Sequence, residues 1–478
     1  MKSDADVFPF QIVEDDSLVV EESAPDEHGN RRPRVVTLPG TPAADLAAEY
    51  LSVCGLRAVY WRGEVYRYTG TGYAPIPDGD LRADVLRFLQ NGGDRRRAGV
   101  RLANDVVANL QAATLIPSSV EPPALLADGE AVPAPVDLLP FRNGILDFSA
   151  LLRGEDPLRP HGPEWFTPSP LPFDYHPDAG EPEEWHRFQD DLFDDDIESR
   201  DTLQEMFGYL LSGETRQQKI FLIVGPKRSG KGTIARVQSA IVGPGNVVAP
   251  TLSSLGRTFG LAPLLGKKVA IIADARIGRR ADQAAVAEEL LSISGEDSRT
   301  VDRKYLPSVT ARLPVRFVIL TNELPRITDA SGALASRMIV LSLTRSFLGN
   351  EDPFLGDRLL QELPKIGMWA VRGLMRLRER GRFVQPSASF EAVRTLEDLG
   401  SAIAAFVRDR CVLEPGSAVE IQHLFDEWRD WCKTVGRDHA GTIQSFGRDL
   451  HSFEPKIKVI QPRIGDERPR MYSGIRKR

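Results

Sequence analysis

Gly225-Pro-Lys-Arg-Ser-Gly-Lys-Gly-Thr233 is the stretch on which the reading of this chain turns. An apolar run, Lys219-Ile-Phe-Leu-Ile-Val224, comes directly before it, and Ile234, Val237 and Ile241 recur at helical spacing after it. Strand, glycine-rich loop and helix in that order is the context a phosphate-binding loop needs. Glycines let backbone N–H groups turn inward around phosphate oxygens, and the helix N-terminus adds its partial positive charge at the same point. Lys231 supplies a full charge that can reach β- and γ-phosphates. The loop Gly225, Pro226, Lys227, Arg228, Ser229, Gly230, Lys231, Gly232 and Thr233 is therefore expected to bind a nucleoside triphosphate. A Ser or Thr usually follows the lysine and meets magnesium; here that position is Gly232, and Thr233 is the next hydroxyl able to do so. The bland alternative is a glycine turn without a ligand, which the agreement of both flanks argues against. Gly-Lys-Gly-Thr endings also occur in small nucleotide kinases, so the loop alone does not separate a kinase from a motor ATPase.

The 478 residues exceed one ordinary core and imply two to four domains, and 42% hydrophobic content is that of a globular chain. The net charge of −7 gives no global attraction to nucleic acid, so any such binding must come from local basic patches. Three widely spaced cysteines, Cys54, Cys411 and Cys432, form neither a metal motif nor a disulfide framework, which fits a reducing cytoplasm. The acidic start Met1-Lys-Ser-Asp-Ala-Asp reads as no secretory signal, and no apolar run approaches the roughly 20 residues that span a bilayer.

Six segments are expected. Residues 1–41 read as a disordered leader, and 42–140 as a small α+β region ending in a Pro/Ala-rich linker over 118–140. In that region Val59–Tyr68 reads as a hairpin turning at Gly63, and Leu81, Val85, Phe88 and Leu89 recur at helical spacing. Residues 141–213 carry a β-containing start, then two amphipathic helices: Trp185, Phe188 and Leu192 on one, Leu203, Phe207, Leu210 and Leu211 on the other. Asp194-Asp-Asp196 between them reads as a solvated loop rather than a two-metal site, since no flanking acids stand at useful spacing. Residues 214–345 read as an α/β core of parallel strands flanked by helices, 346–400 as a helical lid, and 401–478 as a winged-helix-like module. That last module gathers Lys456, Lys458, Arg463, Arg468, Arg470, Arg476, Lys477 and Arg478 in a chain that is acidic overall, which suggests a face for duplex DNA.

Four further stretches of the core carry candidate chemistry. Lys267-Lys-Val-Ala-Ile-Ile-Ala273 is a buried-strand pattern ending at Asp274, where an acid can hold magnesium and orient water. Ile293-Ser-Gly-Glu-Asp-Ser-Arg-Thr-Val-Asp-Arg-Lys-Tyr305 offers Arg299, Arg303, Lys304 and Tyr305 for phosphate pairing and base stacking on a single strand. Taken alone, an exposed charged hairpin would be the better reading of it. Val315-Arg-Phe-Val-Ile-Leu320 is another apolar strand, and Asn322 beyond its tip can hydrogen-bond a γ-phosphate or water, although Asn before a proline turn is ordinary loop chemistry. Ser331-Gly-Ala-Leu-Ala-Ser-Arg337 leads into Met338-Ile-Val-Leu-Ser-Leu343, and Arg337 can reach a neighbouring subunit's γ-phosphate or be a plain surface arginine.

Each stretch is weak alone; their order on successive strand ends is not. Together GPKRSGKGT, IIADAR, ISGEDSRTVDRKY, ILTNELPR and SGALASRMIVL closely resemble the superfamily-3 helicases of the AAA+ class, within the helicase part of phage and plasmid primases similar to the poxvirus primase-helicase. The resemblance runs from about Phe141 to Leu413. It implies an AAA+ P-loop ATPase core using ATP and Mg2+. It assigns Walker A to Lys231 and Thr233, Walker B to Asp274, DNA contact to Arg303 and Lys304, the sensor to Asn322 and the arginine finger to Arg337. It further implies a hexameric ring on single- and double-stranded DNA, in the cytoplasm of a bacterial host, with a separate primase or polymerase as partner.

Two departures qualify it. Ala275 stands where a second Walker B acid is usual, leaving Glu288, Glu289 or another acid to polarise water. No convincing Asp-x-Asp pair on a strand with a downstream His marks a primase site, so priming by this chain alone is not expected. The competing readings are a replication initiator that uses ATP only to assemble, and a P-loop nucleotide kinase. A kinase needs an acceptor pocket and a lid but neither a DNA-facing basic segment nor an inter-subunit arginine.

Overall fold

The computed structural model describes residues 42–91, 99–126, 133–273, 283–304, 306–325, 327, 332–437, 439–463 and 468–478. The leader expected over 1–41, together with Asp274 and Tyr305, lies outside them. The chain divides into two units at Tyr175/His176.

In the first unit, helices Pro42–Val53, Asp78–Asn91 and Val100–Ala113 accompany an antiparallel sheet of Ala58–Trp61, Glu64–Tyr68 and Tyr73–Ile76. The expected hairpin forms with Trp61 opposite Glu64, and its turn needs left-handed backbone at Arg62 (φ 48°) and Gly63 (φ 93°). Leu81, Val85 and Leu89 are buried in a common core with Val106 and Leu110, as their spacing predicts. The linker expected over 118–140 is corrected where it is described. Ala124–Leu125 pairs with Trp165–Phe166, Leu138–Phe141 pairs with Gly144–Asp147, and the Trp61 indole donates to the Val120 carbonyl at 3.1 Å. Prolines hide these short strands from a periodicity reading, but burying Leu138, Leu139 and Phe141 ties the segment down.

The second unit is built on five strands: β1 (Ile220–Val224), β2 (Val247–Val248), β3 (Val269–Ile272), β4 (Arg316–Thr321) and β5 (Met338–Ser342). Their order is β2-β3-β4-β1-β5 and every pairing is parallel. A parallel sheet is covered on both faces, which is why its strands read as unbroken apolar runs. Phe221, Leu222, Val269, Ile272, Phe317, Val318 and Ile319 are fully buried. Because β4 lies between β1 and β3, the chain segments that follow these three strands leave from one edge, where ligands of open α/β sheets bind.

The expected helices at Glu183–Phe193 and Ile197–Leu211 form, and Asp196 caps the second by accepting from the Ser199 N–H. Among the described residues no group of three or more His, Cys, Asp or Glu is placed to hold a metal ion. The helix Ile197–Leu211 packs tightly on Leu363–Arg380. A Cβ on Gly208 would stand 2.2 Å from the Ala370 carbonyl oxygen, and one on Gly373 2.4 Å from that of Gln204. The rings of Trp185, Phe207 and Trp369 meet at 5.3–5.5 Å, and buried Glu205 is paired with both Arg376 and Arg380. The amphipathic helices of 141–213 and the segment read as a lid thus share one core.

The C-terminal module runs helix Ala402–Arg410, strand Cys411–Glu420, helices Ile421–Thr434 and Ile443–Phe453, then strands Lys458–Ile460 and Met471–Lys477. The last strand is central, flanked by the other two. Phe406, Trp428, Trp431, Phe446 and Tyr472 make the core. No helix of the described residues is long and apolar enough to cross a membrane.

Candidate functional site

The expected phosphate loop lies between the first strand of the sheet and the helix Lys231–Val242. β1 ends at Val224, and Gly225 donates its N–H to the Thr321 carbonyl at 3.2 Å. A Cβ at Gly225 would lie 2.6 Å from the Leu343 carbonyl oxygen, and one at Gly230 2.9 Å from Leu192. Glycine is therefore required by close approach at the first position, and by a φ of 87° as well at the second. Arg228 is also left-handed, at φ 57°. Such alternation turns successive N–H groups to one side and makes an anion-binding concavity at the start of the helix Lys231–Val242. The Lys231 ammonium lies within this loop, donating to the carbonyls of Gly225 (2.8 Å) and Pro226 (2.7 Å) and to the Ser229 hydroxyl (3.0 Å). Burial lowers its pKa from the ordinary lysine value. A cradle that a Cβ would fill, a helix N-terminus and a lysine inside the loop form a donor set that fits a polyphosphate. Gly232 is different: a Cβ there would touch nothing within 4 Å, so packing does not demand glycine. Thr233 sits in the first helical turn, partly exposed.

Two walls of this site escaped the sequence reading. Leu192 and Phe188 of the helix Glu183–Phe193 press on Gly230. On the other side, Ser346 donates to the Lys227 carbonyl (2.8 Å), Phe347 N–H to the Arg228 carbonyl (2.9 Å), and Glu351 pairs with Arg228 at 3.4 Å. Neither segment has a phosphate-site motif; both are recruited by packing.

The register sets the other residues. Thr321 pairs with Val224, so exposed Asn322 follows β4 at the level where Gly225 follows β1. Asp274 lies outside the described residues; β3, which leads to it, is level with β4, with Ile272 opposite Ile319.

Arg337 stands at the opposite edge. Met338 pairs with Ile220, the first residue of β1. The Arg337 guanidinium donates to the Leu291 carbonyl and, at 2.9 Å, to the Ser294 hydroxyl, closing the C-terminal end of the helix Gln283–Ser294. Lys219 is beside it, donating to the Ser336 carbonyl at 2.8 Å, and burial together with the Arg337 charge lowers the pKa of its ammonium.

The basic stretch forms an antiparallel hairpin of Ser298–Arg303 and Leu306–Arg312, rooted by the Arg312–Glu296 pair at 2.6 Å. It is inserted between that helix end and the start of β4, on Arg337's edge of the sheet. Lys304 is exposed at its turn, and Arg303 donates to the Pro307 carbonyl at 3.0 Å. Arg299 is held at the hairpin's base by Glu289 and, at 3.7 Å, by Glu288. Those two acids, candidates for polarising water, are engaged with an arginine.

Comparison with known proteins bears on this layout. Residues 223–337 match the family described as "Family of unknown function (DUF5906)", a span that opens in β1 and closes on Arg337. Residues 101–194 match the family "D5 N terminal like". The apo structure of the NrS-1 C terminal region (305-718) is similar with a TM-score of 0.52 at 12% identity, covering 91% of this chain and 100% of that one. The A form apo structure of the NrS-1 C terminal region gives 0.50 at 12%, covering 90% and 98%. At that identity the likeness is one of fold. The D5 match supports a primase-helicase-like family, as the motifs do.

Proposed function

We propose that this chain is an ATP-hydrolysing DNA helicase of a phage, prophage or plasmid replication system. It belongs in this reading to the AAA+ superfamily-3 type and works as a ring of copies, hexameric by resemblance. ATP phosphates would be held by the loop Gly225–Gly230 and Lys231, and Mg2+ by Thr233 and Asp274. Bound Mg2+ would neutralise charge on the transferring phosphoryl group. Asn322, level with Gly225, is the polar group available beside that phosphate.

One observation carries the reading: Arg337 and Lys231 stand at opposite edges of one sheet. The strand between them, Ile220–Val224, is five residues. At about 3.3 Å per residue this is about 16 Å, more than an arginine side chain spans. In this reading Arg337 serves a triphosphate on a neighbouring copy, as a finger in a ring does. A kinase would need its transition-state cations on the phosphate edge of its own sheet. Arg303 and Lys304, on the hairpin rooted at Arg337's edge, are the groups for the single strand.

ATP hydrolysis with and without single-stranded DNA, together with strand displacement, tests this on the full chain. Hydrolysis should be stimulated by the single strand. Lys231→Ala should lose at least about 100-fold in turnover, the scale of removing one preorganised electrostatic group. Arg303→Ala/Lys304→Ala should hydrolyse ATP without displacing a strand. Near-normal turnover in a folded Lys231→Ala protein sinks the ATPase assignment, and normal unwinding by the double variant sinks the hairpin's part.

A further inference from the structure

We propose that Arg299 is a positioning residue: with Glu289 it clamps the basic hairpin to the helix Gln283–Ser294, so that hairpin, helix and Arg337 act as one piece. This role rests on the helicase reading and adds to it the part that joins the neighbour-facing arginine to the strand-facing tip.

The sequence offers Arg299 as a DNA contact and Glu289 as an acid to polarise water. The structure gives each of them the other as partner. Along the strand Ser298–Arg303 exposure alternates, with Ser298, Thr300 and Asp302 outward and Arg299 and Val301 turned in. Val301 is fully buried in one core with Leu290 and Ile293 of the helix. Side chains two apart on a strand share a face, so Arg299 is directed at the helix and not at the outer side of the hairpin. There its guanidinium meets the Glu289 carboxylate and, at 3.7 Å, that of Glu288. Glu289 is the principal partner, because its side chain is 15% exposed against 71% for Glu288. The second Glu289 oxygen is buried with no hydrogen bond among the described residues, so this carboxylate depends on Arg299. Leaving a desolvated charge unpaired is costly, which holds the arginine in place and away from phosphate.

The position of Glu289 also separates it from the hydrolysis chemistry. It stands five residues before Ser294, about 7.5 Å along the axis from the helix end that Arg337 closes. That end lies at the edge of the sheet opposite the phosphate loop. Arg337 and the hairpin therefore hold the same two turns of helix. Arg337 donates to the Leu291 carbonyl and the Ser294 hydroxyl, and a Cβ at Gly295 would stand 2.9 Å from its Nη1. The hairpin is fixed there by Arg299, by Val301 and, at its root, by the Arg312–Glu296 pair. Beyond Val301 the register shifts before Arg303, and such a bulge re-aims the side chains that follow. Clamped base and strand-facing tip are thus distinct parts of one hairpin. A pull on Arg337 from a neighbour's triphosphate acts on the helix end, and the clamp passes it to Arg303 and Lys304.

The experiment exchanges the two charges in the full chain. Amide hydrogen exchange reads the clamp without reference to activity. Arg299→Glu and Glu289→Arg should each lower the protection of Ser298–Arg303 and Leu306–Arg312 by about 10-fold or more, the scale of one charge-assisted hydrogen bond. The double variant Arg299→Glu/Glu289→Arg should regain most of it. The milder Arg299→Gln should show the same local loss, and unchanged exchange in the helices Ala402–Arg410 and Ile421–Thr434 controls for the fold. Strands displaced per ATP hydrolysed should fall about 10-fold in each single variant and return to at least about half the parent value in the double variant. Glutamate at 299 cannot replace a phosphate contact and arginine at 289 cannot polarise water, so recovery separates a clamp from either role. A double variant no better than the poorer single one, in exchange or in displacement, overturns the proposal, as does parental hairpin protection in Arg299→Gln. If the parent chain neither hydrolyses ATP nor displaces a strand, the helicase reading falls, and exchange alone decides the clamp.

Discussion

Arg337→Ala removes two things at once, and the structure lets them be told apart. Within its own chain the guanidinium loses its bonds to the Leu291 carbonyl and the Ser294 hydroxyl, which leaves the end of the helix Gln283–Ser294 without its cation. Hydrogen bonds from a charged donor are worth about 1.5–3 kcal/mol, so a local loss of that order is expected in chemical denaturation. In the proposed ring it also removes the finger between chains, for which about 10³- to 10⁵-fold in turnover is the known scale. Mixing distinguishes them. A ring interface is productive when the copy holding the triphosphate has Lys231 and its neighbour has Arg337. Lys231→Ala rings and Arg337→Ala rings contain no such interface. Subunits of the two variants assembled randomly in equal amounts give intact interfaces in about one case in four, because the interface is heterologous and each position is filled independently. Turnover of the mixture should then rise to about a quarter of the parent rate, if interfaces act independently, while each variant alone stays near background. A purely structural role cannot produce that rise. If no mixing ratio exceeds its parents, or Arg337→Ala alone turns over ATP normally, the trans assignment is refuted.

Two substitutions test the fold. Gly208→Ala puts a Cβ 2.2 Å from the Ala370 carbonyl oxygen and 2.6 Å from the Leu374 nitrogen, both backbone, so the helices must part. Overpacking of about 3 kcal/mol, less about 1 kcal/mol gained in helix propensity, leaves a loss of about 2 kcal/mol in urea denaturation. Gly232→Ala meets nothing within 4 Å and should lose no stability; equal stability of both variants would refute the close approach at Gly208. Lys268 tests the electrostatics: burial, and then the Arg316 charge, push its ammonium down to about 8. The unfolded chain, with lysine near 10.4, binds more protons over that interval, so this group makes stability rise from about pH 8 to about pH 10.4. Lys268→Met should flatten the rise, and an identical pH slope in the two proteins would contradict the assignment.

How much of this was legible in the sequence depends on the range of the interaction involved. Local patterns were sufficient where a run or a period specifies an element. The buried strands from Ile220, Val269, Arg316 and Met338 announce themselves as apolar runs, and the helices at 183–211, 355–380 and 402–453 by spacing. The strand Cys411–Glu420 did not, because Glu414-Pro-Gly416 interrupts it and its register breaks between Leu413 and Ala418. What no period can supply is which strands are neighbours. Asn322 and Gly225 are nearly a hundred residues apart, and only the insertion of β4 beside β1 brings their strand ends level. The same insertion leaves Arg337 on the far edge, next to the root of the basic hairpin. Gly208 and Gly373 look like two weak points in helices until the Ile197–Leu211 and Leu363–Arg380 helices are seen to cross there. The motif order supplies the chemistry proposed for each residue. The parallel pairing decides which residues can perform it in the same copy, and it excludes Arg337 from its own loop.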